Sequence, residues 1–144
     1  MKKMIRYTIG FGCISAFMVT AGLALAEEVG AKDVTICSII YSKDEVNHKR
    51  VRVDAYALTD MHMTMLYDSN SGGRGVSLFV PEKMRKDPEV VELVDSSFGP
   101  EAFDGNYQVW ATFTGEVTVN KGARPEIVFI LEDISDVKKK PKEH

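Results

Sequence analysis

The stretch from Asn106 to Asn120, NYQVWATFTGEVTVN, decides how this chain folds. Val109, Ala111, Phe113, Gly115, Val117 and Val119 alternate with Gln108, Trp110, Thr112, Thr114, Glu116 and Thr118. A period of two puts the first set on one face and the second on the other, as in a half-buried strand. Gly115 in the middle predicts a bulge or a sharp bend. A long strand that bends suits a barrel, whose strands must coil to close.

Working outward, Lys121 to Pro125 is a turn and Glu126 to Ile134 a last strand, dense in Ile, Val, Phe and Leu. The end, residues 137–144, reads as a basic disordered tail. Upstream, Asp104-Gly105 is a turn signal and Phe98-Gly99-Pro100 breaks a helix. That helix starts at Pro88, whose missing N–H costs nothing in a first turn, and carries Val90, Val91, Leu93 and Val94. Lys49 to Leu58 is a strand with Val51, Val53, Ala55 and Ala57 on one side. Met61 to Tyr67 is another, with Met61, Met63, Met65 and Tyr67 opposite His62, Thr64 and Leu66. The loop Asp68 to Gly75, DSNSGGRG, leads to a third strand, Val76 to Val80, which Pro81 ends. Asp33 is the expected cap of a short helix from Val34 towards Glu45. The order is a short helix, three strands, a helix and two strands. A mainly β fold, the five-stranded OB-fold barrel, has this layout. A plain α+β sheet is the competing architecture.

The N-terminus has the parts of an export signal. Lys2, Lys3 and Arg6 precede an uncharged run from Thr8 to Leu23, and Ala24-Leu25-Ala26 offers small residues for cleavage. The run is shorter than the ~20 residues of a membrane span. The expected organisation is a signal peptide over 1–26, an OB-fold-like domain over 27–136 and the tail. The protein would then be periplasmic or secreted, with no stable membrane anchor. Cleavage removes three of the 18 basic residues and none of the 21 acidic ones, leaving a formal net charge of −6. That sign argues against a nucleic-acid partner. Cys37 is the one cysteine left, so no internal disulfide forms, and it is expected to pack as a small hydrophobe.

Catalytic signatures are missing. No G-x-S-x-G elbow or phosphate-binding G-K-[ST] occurs, and no residue is evident to orient His48 against Cys37. Glu132 and Asp133 are neighbours on a strand and are expected on opposite faces. No enzyme is expected. Aromatic residues offer a route to binding, since OB-folds grip ligands by stacking. Tyr56, Tyr67 and Trp110, with Arg74 on a rim loop, are the ligand-binding candidates. Trp110 would be exposed or covered by the helix at Pro88 to Val94, cover being the plainer expectation.

The pattern Cys37-Ser38-Ile39-Ile40, then Lys49-Arg50-Val51-Arg52-Val53-Asp54-Ala55, Leu66-Tyr67-Asp68 and Phe113-Thr114-Gly115 resembles small exported bacterial OB-fold proteins. These include the bacterial periplasmic OB-fold family, regarded as stress-linked ligand binders. The resemblance implies a non-catalytic binding or accessory domain of the cell envelope, acting as a monomer on a small ligand, a glycan or an envelope protein. Relatives often carry a second Cys where Asn70 and Ser71 stand here. Met61-His62-Met63-Thr64-Met65 together with Trp110 is also similar to CusF-type periplasmic copper and silver chaperones. That implies a Cu(I) or Ag(I) site on Met61, Met63, Met65 and His62, thioether and imidazole being right for a soft ion. His48 is the other imidazole candidate. The ordinary use of such a row is methionine packing inside the barrel. An envelope interaction or inhibitor module is a third class.

Overall fold

The structure, a computed structural model, describes residues 30–142; the expected export signal lies outside the described residues. β1 (Lys32–Val34), α1 (Ile36–Tyr41) and α2 (Lys43–Val46) precede β2 (Arg50–Thr59), β3 (Thr64–Tyr67) and β4 (Val76–Phe79). α3 (Pro88–Ser97), α4 (Pro100–Asp104), β5 (Tyr107–Val119) and β6 (Ile127–Pro141) follow. The strands neighbour one another in the order β2-β3-β4-β6-β5, and β5 pairs back onto β2. Five strands thus close a barrel, with α3 between the third and fourth. This is the OB-fold arrangement. The ladder from Arg50↔Glu116 to Ala57↔Val109 closes it and rules out the open sheet.

Alternation sets what goes inside. β2 buries Val51, Val53, Ala55, Ala57 and Thr59, and β5 buries Val109, Ala111, Phe113 and Val117. Leu66, Val76, Leu78, Phe129 and Leu131 complete the barrel interior, and Ile36 and Ile39 of α1 and Val90 and Leu93 of α3 join the same core. Each fully buried Phe or Leu contributes about 1.5–3 kcal/mol of transfer free energy. Helix α3 starts where expected because Asp87 accepts the Glu89 N–H and Pro88 takes the first position. Helix α1 starts later than expected. Thr35 and Ser38 form a reciprocal capping box, while Asp33 lies in β1, which pairs in parallel with β2 and sets Asp33 against Arg52.

The bend at Gly115 is real, and the extra residue lies on its partner. Thr114 faces Asp133 but Gly115 faces Leu131, so Glu132 is the bulged residue. A Cβ on Gly115 would stand 2.1 Å from the Ile130 carbonyl oxygen, so only glycine lets β6 approach this closely. The bulge also puts Glu132 and Asp133 on the outside together, not on opposite faces. Glu132 then meets Arg50 at 2.6 Å.

Two further expectations are corrected. β3 begins only at Thr64; Met61 and His62 lie in a turn in which the Asp60 carboxylate accepts the N–H groups of His62 and Met63 at 2.7 and 2.8 Å. Thr64 and Leu66 are the inward residues, and Met61 and Met63 are 83% and 41% exposed, so the methionine row does not line the interior. The register explains it. Ala57↔Leu66 and Thr59↔Thr64 match inward residues to inward residues, and Thr59 Oγ1 bonds Thr64 Oγ1 (2.9 Å) and Ser97 Oγ (2.6 Å). A satisfied hydroxyl is tolerated inside. The second correction concerns the basic end. β6 runs to Pro141, pairing Lys138 with Trp110 and Lys140 with Gln108, because the first half of β5 needs a partner on its second edge.

Candidate functional site

The outer face of β2, β3 and β5 carries the aromatic residues. Tyr56 pairs across strands with Tyr67 on one side and with Trp110 on the other. Cross-strand partners share a face, so the three rings meet. Tyr56 and Tyr67 stack with centroids 5.5 Å apart and planes 21° apart, and Tyr56 and Trp110 are tilted by 54° at 5.4 Å. The indole Nε1–H donates to Gln108 Oε1 at 3.2 Å. Trp110 lies against Tyr56 and Lys140, and the cover expected from helix α3 is not what flanks it. All three rings are half-buried. Gly75 makes room for one of them: a Cβ there would be 2.7 Å from Tyr67 Cε1.

Lysines come from the part of β6 that the sequence presents as a tail. The Lys140 ammonium stands 4.4 Å from the Trp110 ring centre, and Lys139 stands 4.8 Å from the Tyr107 ring on the other side of the strand. A second bulge decides which lysines face Trp110. Thr112 faces Ser135 while Trp110 faces Lys138, so β6 carries an extra residue near Asp136, which adopts a positive φ of 57°. Without that residue the alternation would bring Val137 and Lys139 to the aromatic face. With it, Lys138 and Lys140 arrive there.

Between the rings and the β3–β4 loop lies an open groove of about 720 Å³, bounded by Tyr56, Asp68, Gly72, Trp110, Lys140 and Lys142. The loop is held in place. Asp68 is 8% exposed and accepts the N–H groups of Cys37 and Asn70, each at 3.0 Å. Asp68 thereby ties the loop to the start of α1. Burial pushes the phenols of Tyr56 and Tyr67 above the ordinary tyrosine range, so both stay neutral donors at neutral pH. Next to the groove, beyond Trp110, the surface turns acidic at Asp54 and Asp136.

Of the ligand-binding candidates, Tyr56, Tyr67 and Trp110 are brought together. Arg74 is not; its guanidinium lies over the Tyr41 ring at 5.6 Å. Met65 is on the outer face of β3, while Met61, His62 and Met63 belong to the Asp60 turn. His48 stands before β2, 3.1 Å from Glu116, at the opposite end of that strand from Met61. Among the described residues no three His, Cys, Asp or Glu side chains gather as a metal site. Lys138, Lys140, Lys142 and Gln108 were not among the candidates. One signal was present: a last strand ending at Ile134 leaves the first half of a strand beginning at Asn106 without a partner.

No protein-family model matches the chain, and no curated protein matches it. Among solved structures it is similar to a chain of the S. pombe Stn1-Ten1 complex, at 16% identity and a TM-score of 0.43, over 75% of this chain and 77% of that one. It is also similar to OBody AM3L09 bound to hen egg-white lysozyme, at 12% identity and a TM-score of 0.40, over 62% of this chain and 82% of that one. The expectation that net charge excludes a nucleic-acid partner is withdrawn. The physical reason is charge segregation. Net charge speaks for the whole surface, yet Lys138, Lys139 and Lys140 gather on one strand and form no ion pair among the described residues.

Proposed function

We propose that this chain is a non-catalytic binding domain, exported to the cell envelope, that takes its ligand on the face built by Tyr56, Tyr67 and Trp110. One observation carries the reading: three large rings from three adjacent strands meet outside a barrel whose interior is already filled. The core does not need them there, and a fixed aromatic surface beside an open groove suits a ligand that presents a flat ring or an apolar face. Export is supported by the basic, apolar and Ala24-Leu25-Ala26 parts of the leader.

Two measurements test it. The full chain, expressed with its leader, should be recovered from the envelope fraction beginning at Glu27; recovery from the cytoplasm beginning at Met1 removes the export half. Trp110 is the sole tryptophan, so energy transfer from it to 1-anilinonaphthalene-8-sulfonate, a ring-bearing anion, reports occupancy of the face. Transfer should saturate and be lost in Tyr56→Ala. Transfer that survives that substitution in a folded variant places binding elsewhere.

A further inference from the structure

We infer that a second copy of this chain docks on α3, the two helices running antiparallel about a twofold axis near Val91. Helix α3 turns Val90 and Leu93 into the core but leaves Val91 44% exposed and Val94 half-buried. Val91 and Val94 are three residues apart, so they share a helical face. That face borders a groove of about 340 Å³, whose other apolar wall is Val80 and whose rims are Arg85 and Asp95. The apolar surface extends beyond the helix. Phe98, which bridges to Thr59 at the end of β2, is 52% exposed, and Phe79, next to Val80 at the end of β4, is 51% exposed. An exposed apolar patch with a polar rim marks an interaction site.

The charges indicate which partner fits. The segment before the helix is basic, with Lys83, Arg85 and Lys86, while α3 carries Glu89, Glu92 and Asp95 and no basic residue. A polyanion or an anionic lipid surface would be repelled by the helix, and a polycation by the segment before it. A partner with the same division of charge, laid in the opposite direction, meets both. A twofold copy is such a partner, because in an isologous contact residue i touches j and j touches i. Arg85 of each copy then faces Asp95 of the other, with Val91 close to the axis. Neither Arg85 nor Asp95 forms an ion pair among the described residues, although both rim one groove. Asp95 also stands in the last turn of α3, where the helix dipole disfavours an anion. A facing arginine offsets that cost.

The test is sedimentation velocity of the chain as the cell processes it, over a concentration series. The mass should rise from one copy towards two as concentration increases. Val91→Asp, at an exposed position, should weaken association at least about tenfold by setting two like charges near the axis. Arg85→Asp and Asp95→Arg should each weaken it about tenfold, since each reversal places like charges at two symmetric points. Combining the two reversals exchanges the rims and should return association to within about twofold of the unmodified chain. The combined variant also controls for folding, because a domain disrupted by either reversal would not recover. A single-copy mass at every concentration up to about 1 mM overturns the inference. So does association that ignores all three single substitutions, which would put the contact elsewhere. A combined variant as weak as either reversal alone would overturn the pairing of Arg85 with Asp95 across the axis.

Discussion

The Lys140 ammonium sits 4.4 Å from the centre of the Trp110 ring, brought there by a register in which Lys140 pairs with Gln108. A cation over an indole at a partly exposed site contributes about 0.5–1 kcal/mol. Lys140→Gln should therefore lower the melting temperature by only a few degrees. It should also shift the emission maximum, because Trp110 is the sole tryptophan and loses its adjacent charge. An unchanged spectrum would mean that the contact does not persist in solution.

Gly115 presents a harder constraint. An added methyl would meet the Ile130 carbonyl oxygen at 2.1 Å and Phe129 Cε1 at 2.6 Å. The first is backbone of the paired strand and cannot swing away. Gly115→Ala should cost about 3 kcal/mol, the upper end of the overpacking range, measured by urea denaturation. A loss below about 1 kcal/mol would show that β6 slides freely past this point.

The contrast between these residues shows what the sequence reveals. Gly115 announces a bend because a glycine in a run of alternating β-formers weakens the strand unless geometry requires it. The barrel follows from that alternation, which reports burial directly. The face of β3 is not legible from sequence, because Met61, Met63 and Met65 alternate as well as Thr64 and Leu66 do, and hydrophobicity favours methionine. Only the pairing with β2 decides the phase: buried Thr59 bonds Thr64 and is itself bonded by Ser97 of α3. The aromatic candidates were legible as residue types, but their meeting depends on cross-strand register. Lys140 was hidden because a run of lysines near a chain end looks solvated, and the bulge at Asp136 that aims it leaves no compositional trace.

Gly75 makes a softer contact. Its absent Cβ would lie 2.7 Å from Tyr67 Cε1, the far end of a side chain that can move. Gly75→Ala should swing Tyr67 off Tyr56, losing a ring pair worth about 0.5–1.5 kcal/mol. Dye transfer from Trp110 should fall while the urea midpoint moves little. Equal losses in both would mark a general disruption of the β3–β4 loop instead.

The phenols of Tyr56 and Tyr67 titrate late chiefly because burial penalises phenolate. Their folded pKa values lie above the unfolded value of about 10. The stability they contribute is then present below that pH and lost as pH rises through the folded values. Subtracting the alkaline absorbance titration of Tyr56→Phe from that of the unmodified chain should isolate a phenol with a midpoint above 10. A midpoint at or below 10 would mean that the ring is solvated.

Asp136 combines two roles that two substitutions separate. Its φ of 57° belongs to the bulge that turns Lys138 and Lys140 towards Trp110, and its carboxylate stands at the acidic end of that surface. Asparagine accepts a left-handed backbone about as readily as aspartate, whereas a β-branched residue does not. Asp136→Asn should keep the bulge and remove a charge that repels an anionic ligand. Binding of 1-anilinonaphthalene-8-sulfonate at low salt should tighten by at most about fivefold, the size of one exposed charge effect, with tryptophan emission unchanged. Asp136→Val should strain the bulge, withdraw Lys140 from the indole and weaken binding despite losing the same charge. Equal affinities in the two variants would show that charge alone acts here and that the bulge does not set which lysines face the rings.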